Sequence, residues 1–432
     1  MREMKDSGVE WIGAVPSSWQ TLTIGSLFKV RNEKVNDVDY PPLSVSKGGI
    51  VPQMENVAKS DASDNRKMVL ANDFVINSRS DRKQSCGVSP LNGSVSLINI
   101  VLYPAKDAPI IPAYLNYLMK NHGFAEEYYR WGHGIVADLW TTRWQEMKSI
   151  LLPIAPKVEQ QRILDRISEK TEKVDVLISN VRTQIEKLKA YKQSLITEAV
   201  TKGLDPTVPM KDSGVAWIGD VPLNWNLTSI GRMCFVTKLA GFEYTSEMNG
   251  NITPIGDVPI VRAQNVKMGK FIEPVDNYIS FEISKKLDRC ALDKKSLLIT
   301  FIGAGIGEVA IFDRDRRYHL APNVAKIVIY DSMTSWIREE YLLYFIMSSS
   351  GQEEVNKIKK ATAQPSLSMQ TIRSIAIVIP PVEEQLQIAD YLDKKCSQID
   401  CLIAIKQVKI EKLEQYKQSL IYEYVTGKKE VL

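Results

Sequence analysis

Residues 4–19 read MKDSGVEWIGAVPSSW and residues 210–225 read MKDSGVAWIGDVPLNW, differing only at Glu10/Ala216, Ala14/Asp220, Ser17/Leu223 and Ser18/Asn224. The offset is 206 residues. Further along, residues 149–201 align without gaps on residues 374–426 at an offset of 225, ending in YKQSLITEAVT and YKQSLIYEYVT. A duplication on this scale organises the chain before any residue is given a role. The offset grows by 19 between the two pairs, so the intervening stretches 20–148 and 226–373 differ in length, and they show little mutual likeness. The plan is a similar frame carrying dissimilar cargo, twice.

The second part of each frame has the pattern of a long helix. Pro153, Pro156, Pro380 and Pro381 stop what precedes, and the chain then runs from Val158 and from Glu383 without Pro or Gly until Gly203 and Gly427. At ~1.5 Å per residue each run makes a rod of roughly 60 to 65 Å. Ile167, Val174, Val181, Leu188 and Leu195 recur every seventh residue, with Leu164, Ile178, Ile185 and Ala199 on a neighbouring line. Leu392, Ile399, Leu413 and Leu420, with Ile403 and Ile410, repeat the pattern in the second copy, where Lys406 and Lys417 interrupt it. This is the seam of a coiled coil. An apolar stripe of that length must be buried, and the other copy matches it in length and register. The competing arrangement lays each helix on its own globule.

If an approximate two-fold axis relates the copies, the helices run antiparallel. In the second copy, residues 210–225 follow the first long helix through Gly203, Pro206 and Pro209. Symmetry then predicts that residues 4–19 dock beside the end of the second helix, near Tyr416 to Val425. The fold class expected is α+β: two mixed α/β domains separated by two long antiparallel helices forming an intramolecular coiled coil, with a pseudo-two-fold internal repeat. The boundaries read as 1–152 for the first domain with its repeat segment, 153–203 for the first helix, 204–377 for the second repeat segment and domain, and 378–432 for the second helix.

Composition narrows the function. Lys plus Arg number 55 against 51 for Asp plus Glu, so a net charge of +4 does not announce a polyanion partner, and any nucleic-acid role needs local basic clusters. Cys86, Cys234, Cys290, Cys396 and Cys401 are odd in number and lack CxxC spacing, which fits a reducing cytosol. Residues 1–13 lack the apolar core of a signal peptide, and no run approaches ~20 apolar residues, so a cytoplasmic protein without membrane association is expected.

The stretches FVINSR, SVSLINIVLYP, KSLLITFIG, GEVAIFD and VAKIVIYD read as strands, while PAYLNYLMKNHGFAEEYYR and REEYLLYFIMSSSGQEEVNKIKK read as helical. Polar clusters sit at the turns. In the first globule Asn77, Ser78, Arg79, Arg82, Lys83 and Gln84 follow a strand, and Arg130 and His133 follow the helix beside Tyr128, Tyr129 and Trp131. In the second, Arg262, Gln264, Asn265 and Lys267 fall on a loop, and Arg314, Arg316 and Arg317 on an expected hairpin tip. Lys359, Lys360, Gln364 and Ser366 follow the helix. Arg can fork onto guanine, Asn or Gln onto adenine, and Lys or Ser onto phosphate, so these are the candidate DNA-binding residues. Solvated surface loops are the alternative reading.

Several chemistries are set aside. Residues 301–305 spell FIGAG, matching the glycine-rich stretch that binds S-adenosylmethionine in adenine methyltransferases, but that fingerprint needs a helix after it. Here GEVAIFDRDRRYHLAPNVAKIVIYD follows, reading as two strands joined by a charged turn, and no Asn-Pro-Pro or Asp-Pro-Pro motif is present. No GxxxxGK[ST] loop occurs, and His122, His133 and His319 are not spaced as metal ligands. No catalytic residue and no metal ligand are assigned.

The frame resembles the specificity subunits of type I restriction and modification systems. The likeness rests on MKDSGVEWIGAVPSSW and its second copy, on ATAQPSLSMQTIRSIAIVIPPVEEQLQIADYLD, and on the more divergent DLWTTRWQEMKSILLPIAPKVEQQRILDRI. It covers the whole length. Trp140 and Thr142 stand where the second junction has Pro365 and Leu367. The resemblance implies a non-catalytic subunit in which two target recognition domains each read one half of a split, asymmetric sequence in double-stranded DNA. It also implies two modification (methyltransferase) subunits and restriction (translocase and nuclease) subunits as partners. S-adenosylmethionine, ATP and Mg would then be used by those partners, with no cofactor bound by this chain. The alternative is a coiled-coil scaffold whose globules bind protein; a self-sufficient methyltransferase is a third possibility.

Overall fold

The computed structural model describes residues 2–53, 64–79, 83–134, 140–273, 275–353, 355–357 and 366–431. The chain divides into two compact units that do not follow chain order: Met1–Arg182 with Gln407–Leu432, and Thr183–Lys406. The reason is that each end of a long helix packs on a globule. The first long helix spans Lys157–Lys202 and the second Val382–Val425.

In the first unit, strand Gln20–Thr23 pairs antiparallel with Leu151–Ile154, closing the globule on its own frame. The main sheet has the order Cys86–Val88, Phe74–Asn77, Asn99–Pro104, Phe28–Val30. A second sheet joins Gly93–Val95, Arg66–Val69 and Lys34–Val35, and Pro42 bridges Ser94 in parallel. Two helices, Pro112–Lys120 and His122–Arg130, cover the main sheet. One continuous helix was expected there; Asn121 divides it, because its extended backbone and its side chain, which accepts from the Phe124 N–H, cap the second segment.

The second unit repeats this topology with unrelated residues. Asn226–Ser229 pairs with Ala376–Ile379, and the main sheet has the order Val309–Phe312, Ser296–Thr300, Val324–Ile329, Cys234–Lys238. Strand Val258–Val261 runs parallel to Tyr318–Leu320, as Pro42 does to Ser94. Ser296–Thr300 is buried throughout, and helix Glu339–Met347 is buried from Tyr341 to Met347, which is why its sequence is apolar on every face.

The frames share their central hydrogen bonds. The Trp19 indole donates to Glu159 Oε2 at 2.9 Å, and the Trp225 indole donates to Glu384 Oε2 at 3.0 Å. The Gln160 amide donates to Pro109 O and Ala155 O; that of Gln385 donates to Trp336 O and Pro380 O. Gly203 (φ 80°) and Gly427 (φ 74°) end the helices in the left-handed region, where a side chain would also press on Glu384 or on Pro16 and Trp19. The docking expected of residues 4–19 is observed. Trp11, Ile12, Val15 and Trp19 share a core with Leu420, Tyr424 and Val425, and the Tyr422 hydroxyl donates to Trp11 O at 2.9 Å.

Along the first long helix, Ile167, Thr171, Val174, Ile178, Val181 and Ile185 are buried, in steps alternating four and three residues. Leu392, Ile399 and Leu420 are buried too, whereas Leu188, Leu195 and Leu413 are half-buried. Within the first unit Asp175 pairs with Lys417 and Arg182 with Glu414. Within the second, Gln184 accepts from Lys406 and Lys192 pairs with Asp400. In each unit the partner number falls as the helix number rises, so the paired segments run antiparallel. Lys406 and Lys417, which break the apolar stripe, are the donors in two of these contacts. Among the described residues no helix is long and apolar enough to cross a membrane.

Candidate nucleic-acid interface

In the first unit the turn after strand Phe74–Asn77 and the chain after helix His122–Arg130 line one recess. Asn77, Ser78, Arg79, Lys83 and Gln84 meet Tyr129 and Trp140 there. Thr142 N–H donates to Ser78 O at 3.1 Å, and Arg79 and His133 both bridge Thr141, tying the two segments together. The Trp140 indole donates to Tyr129 O at 3.0 Å, and the two rings lie 5.6 Å apart. Lys83 sits 4.1 Å from the Tyr129 ring centre and donates to Glu126 at 3.1 Å. Ser78 is buried with its hydroxyl on Ile98 O, so it holds the turn, while Arg79 is exposed. Arg130 is exposed and pairs with Glu10 at 3.1 Å. His133 is exposed beside the recess. Arg82 lies outside the described residues.

In the second unit Arg262 and Gln264 line an open groove with Tyr244, Met248, Ile252 and Asn323. Asn265, expected to offer its amide to bases, is instead buried. Its Oδ1 accepts from Arg262 N–H and its Nδ2 donates to Ile272 O, each at 3.0 Å, so the side chain shapes the loop. Lys267 pairs with Glu308 at 3.1 Å.

The segment carrying Arg314, Arg316 and Arg317 is not a hairpin tip. Strand Val309–Phe312 pairs with Ser296–Thr300, whereas Tyr318–Leu320 pairs with Ala291–Leu292 and Val258–Val261, so the arginines lie on a crossover between two sheets. The expected pair of strands after FIGAG is in fact three. Arg317 is tethered there by the Ser284 hydroxyl at 2.8 Å and by Asp288 at 2.7 Å, and its hydrogen bond holds the Asp288 carboxyl below the usual range. Arg314 pairs with Glu273 at 3.3 Å, and the Tyr318 hydroxyl also donates to Glu273; these bonds depress that carboxyl. Arg316 lies over the Tyr318 ring at 4.9 Å. Arg314 and Arg316 are exposed; Arg317 is half-buried.

Ser366 is exposed and bridges Ile302 in the FIGAG turn, the counterpart of the Arg79–Thr141 bridge. The glycines serve a strand-to-strand connection: Gly307 N–H donates to Thr300 O at 2.8 Å, and no helix follows. Lys359, Lys360 and Gln364 lie outside the described residues. Among the described residues no His, Cys, Asp and Glu cluster could hold a metal. Cys86, Cys234, Cys290 and Cys396 are buried and unpaired, and burial pushes the Cys86 thiol up to about 12.

Sequence reading did not single out Tyr244 or Asn323, because only the fold brings them beside Arg262. It passed over Lys238 as well, which lies 4.6 Å from the Phe301 ring centre at the FIGAG turn.

Residues 222–415 match the family described as the type I restriction modification DNA specificity domain. The type I restriction enzyme MjaVIII specificity subunit of Methanocaldococcus jannaschii is 26% identical over 285 residues, 65% of this chain and 62% of that relative. This chain thus matches under two thirds of that protein's length. A candidate MjaX specificity subunit from the same organism is 22% identical over 442 aligned positions, 96% of this chain and 95% of the relative. A solved structure described under complex assembly and conformational transition of the type I R-M system superposes with a TM-score of 0.66 at 14% identity. It covers 95% of this chain and 98% of its own, and shares the fold.

Proposed function

We propose that this chain is the non-catalytic DNA-specificity subunit of a type I restriction-modification complex. Each globule reads one half of a bipartite, asymmetric target, and the two long helices form an intramolecular coiled coil that sets the gap between the halves. Two modification subunits and the restriction subunits assemble on this frame and use S-adenosylmethionine, ATP and Mg, while this chain binds none of them. The complex works on cytoplasmic DNA.

One observation carries this reading. Two globules of the same strand order sit on the same hydrogen-bonded frame yet present unlike polar side chains, an aromatic recess in one and an amide-lined groove in the other. Conserved architecture with divergent loop chemistry is what two independent readers of different base sequences require. Lys and Arg contacts to phosphate supply affinity and its salt dependence, and forked side chains choose bases.

The test is filter binding of duplex DNA by the chain together with its modification subunit, followed by exchange of residues 20–148 for those of a relative. Specific retention that falls steeply with salt, and a chimera altered in one half of its target, are expected. No specific retention at any salt would favour the protein-binding scaffold, and a chimera altered in both halves or in neither would end the modular reading.

A further inference from the structure

The second globule spends extra chain at one place. Residues 239–257 separate strand Cys234–Lys238 from Val258–Val261, whereas the matching connection in the first globule, from Val30 to the parallel bridge at Pro42, is residues 31–41. The longer connection folds into successive turns of helix, Gly241–Glu243, Tyr244–Met248 and Asn249–Asn251, anchored by the fully buried Met248. It forms one wall of the groove; the other wall carries Arg262, Gln264 and Asn323 around about 940 Å³ of open space.

These three side chains differ from the basic residues Lys267, Arg314 and Arg317 of the same globule, which are occupied by Glu308, Glu273 and Asp288. Among the described residues no side chain bonds the Arg262 guanidinium or the amides of Gln264 and Asn323, and Gln264 and Asn323 are exposed. The Asn323 backbone is nevertheless fixed, because its carbonyl accepts from Phe301 N–H at 3.1 Å where the two central strands of the main sheet end. A rigid backbone presenting an unspent amide is suited to recognition, since little freedom is lost on binding. Ile98 occupies the same place before the matching strand of the first globule, so the amide is peculiar to the second.

We propose that Asn323 is a specificity-determining residue of the second globule, acting with Arg262 and Gln264 on purine edges in the major groove of duplex DNA. Arg262 forks onto a guanine, and the two carboxamides each offer the donor and acceptor pair that adenine N7 and N6 require. This rests on the DNA-reading function proposed above.

The experiment selects from a random duplex library with the chain and its modification subunit, comparing wild type, Asn323→Ala, Asn323→Ser and Arg262→Ala. The Asn323 variants should keep one half of the wild-type motif and lose about tenfold discrimination at one or two positions of the other. Their salt dependence should be unchanged, because no charge is removed. Arg262→Ala should relax a neighbouring guanine. An Asn323 variant that enriches the wild-type motif unaltered overturns the proposal while leaving DNA reading intact, as does uniform weakening with the motif preserved. Wild type enriching no motif removes both. Melting curves identify a variant that is merely unfolded, and the serine variant then supplies the reading.

Discussion

Replacing Trp225 by Phe probes the frame at the point where globule, repeat segment and second long helix meet. The indole is fully buried and its N–H donates to Glu384 Oε2 at 3.0 Å. Phenylalanine removes that donor, and a hydrogen bond to a charged group contributes roughly 1.5 to 3 kcal/mol. The smaller ring also leaves a void of roughly 40 Å³, worth about 1 kcal/mol at ~24 cal/mol per Å³. The expected loss is therefore about 2.5 to 4 kcal/mol. Trp19 makes the equivalent bond to Glu159, but Arg2 pairs with that carboxylate as well, whereas Glu384 has no ion pair among the described residues. Trp19→Phe should thus cost less than Trp225→Phe, by about 1 kcal/mol. A double-mutant cycle of Trp225→Phe with Glu384→Gln should show a coupling of about 1 to 2 kcal/mol. Hydrogen exchange read peptide by peptide over residues 374–392 and 149–167 is the suitable assay, because a chain with two compact units need not unfold in one step. Equal losses at the two tryptophans, or single effects that add within about 0.3 kcal/mol, would refute the reasoning.

Aspartate at Val174 or Ile399, both buried on the helix seam, should lower the melting temperature markedly by circular dichroism, whereas the half-buried Leu188 and Leu413 should tolerate it better; equal sensitivity at all four would count against a seam. Burial lowers the His319 pKa below its usual 6.5, against weaker support for the cation from Leu320 O and Leu287 O. The unfolded chain therefore binds the proton first, and stability should fall as pH drops through about 6.5 until the folded-state value is reached. Denaturant midpoints at pH 7.5 and 5.5 should converge in His319→Asn relative to wild type; an unchanged gap would place the pH dependence elsewhere.

The repeat in the chain made the frame legible. Docking of residues 4–19 beside Leu420 and Tyr424 follows from the position of residues 210–225 after the first helix, because the same sequence buries the same tryptophan against the same glutamate. The stripe from Ile167 to Ile185 was equally readable, since helical spacing is local and repeats every turn. Within the candidate site less could be read. Asn77, Ser78, Arg79, Lys83 and Gln84 do line one recess with Tyr129, but Asn265 and Arg317 have the same residue types as exposed readers and are spent on their own loops.

Sequence alone determined the duplicated frame, the two long helices and the presence of a mixed globule on each, because periodicity and identity are properties of the chain taken in order. Tertiary structure decided that both globules share one strand order, that the Arg314–Arg317 segment crosses between sheets, and that Asn323 stands beside Arg262. Those outcomes depend on strands pairing across tens of residues, where burial and hydrogen bonding in three dimensions select the neighbour and no local pattern records the choice.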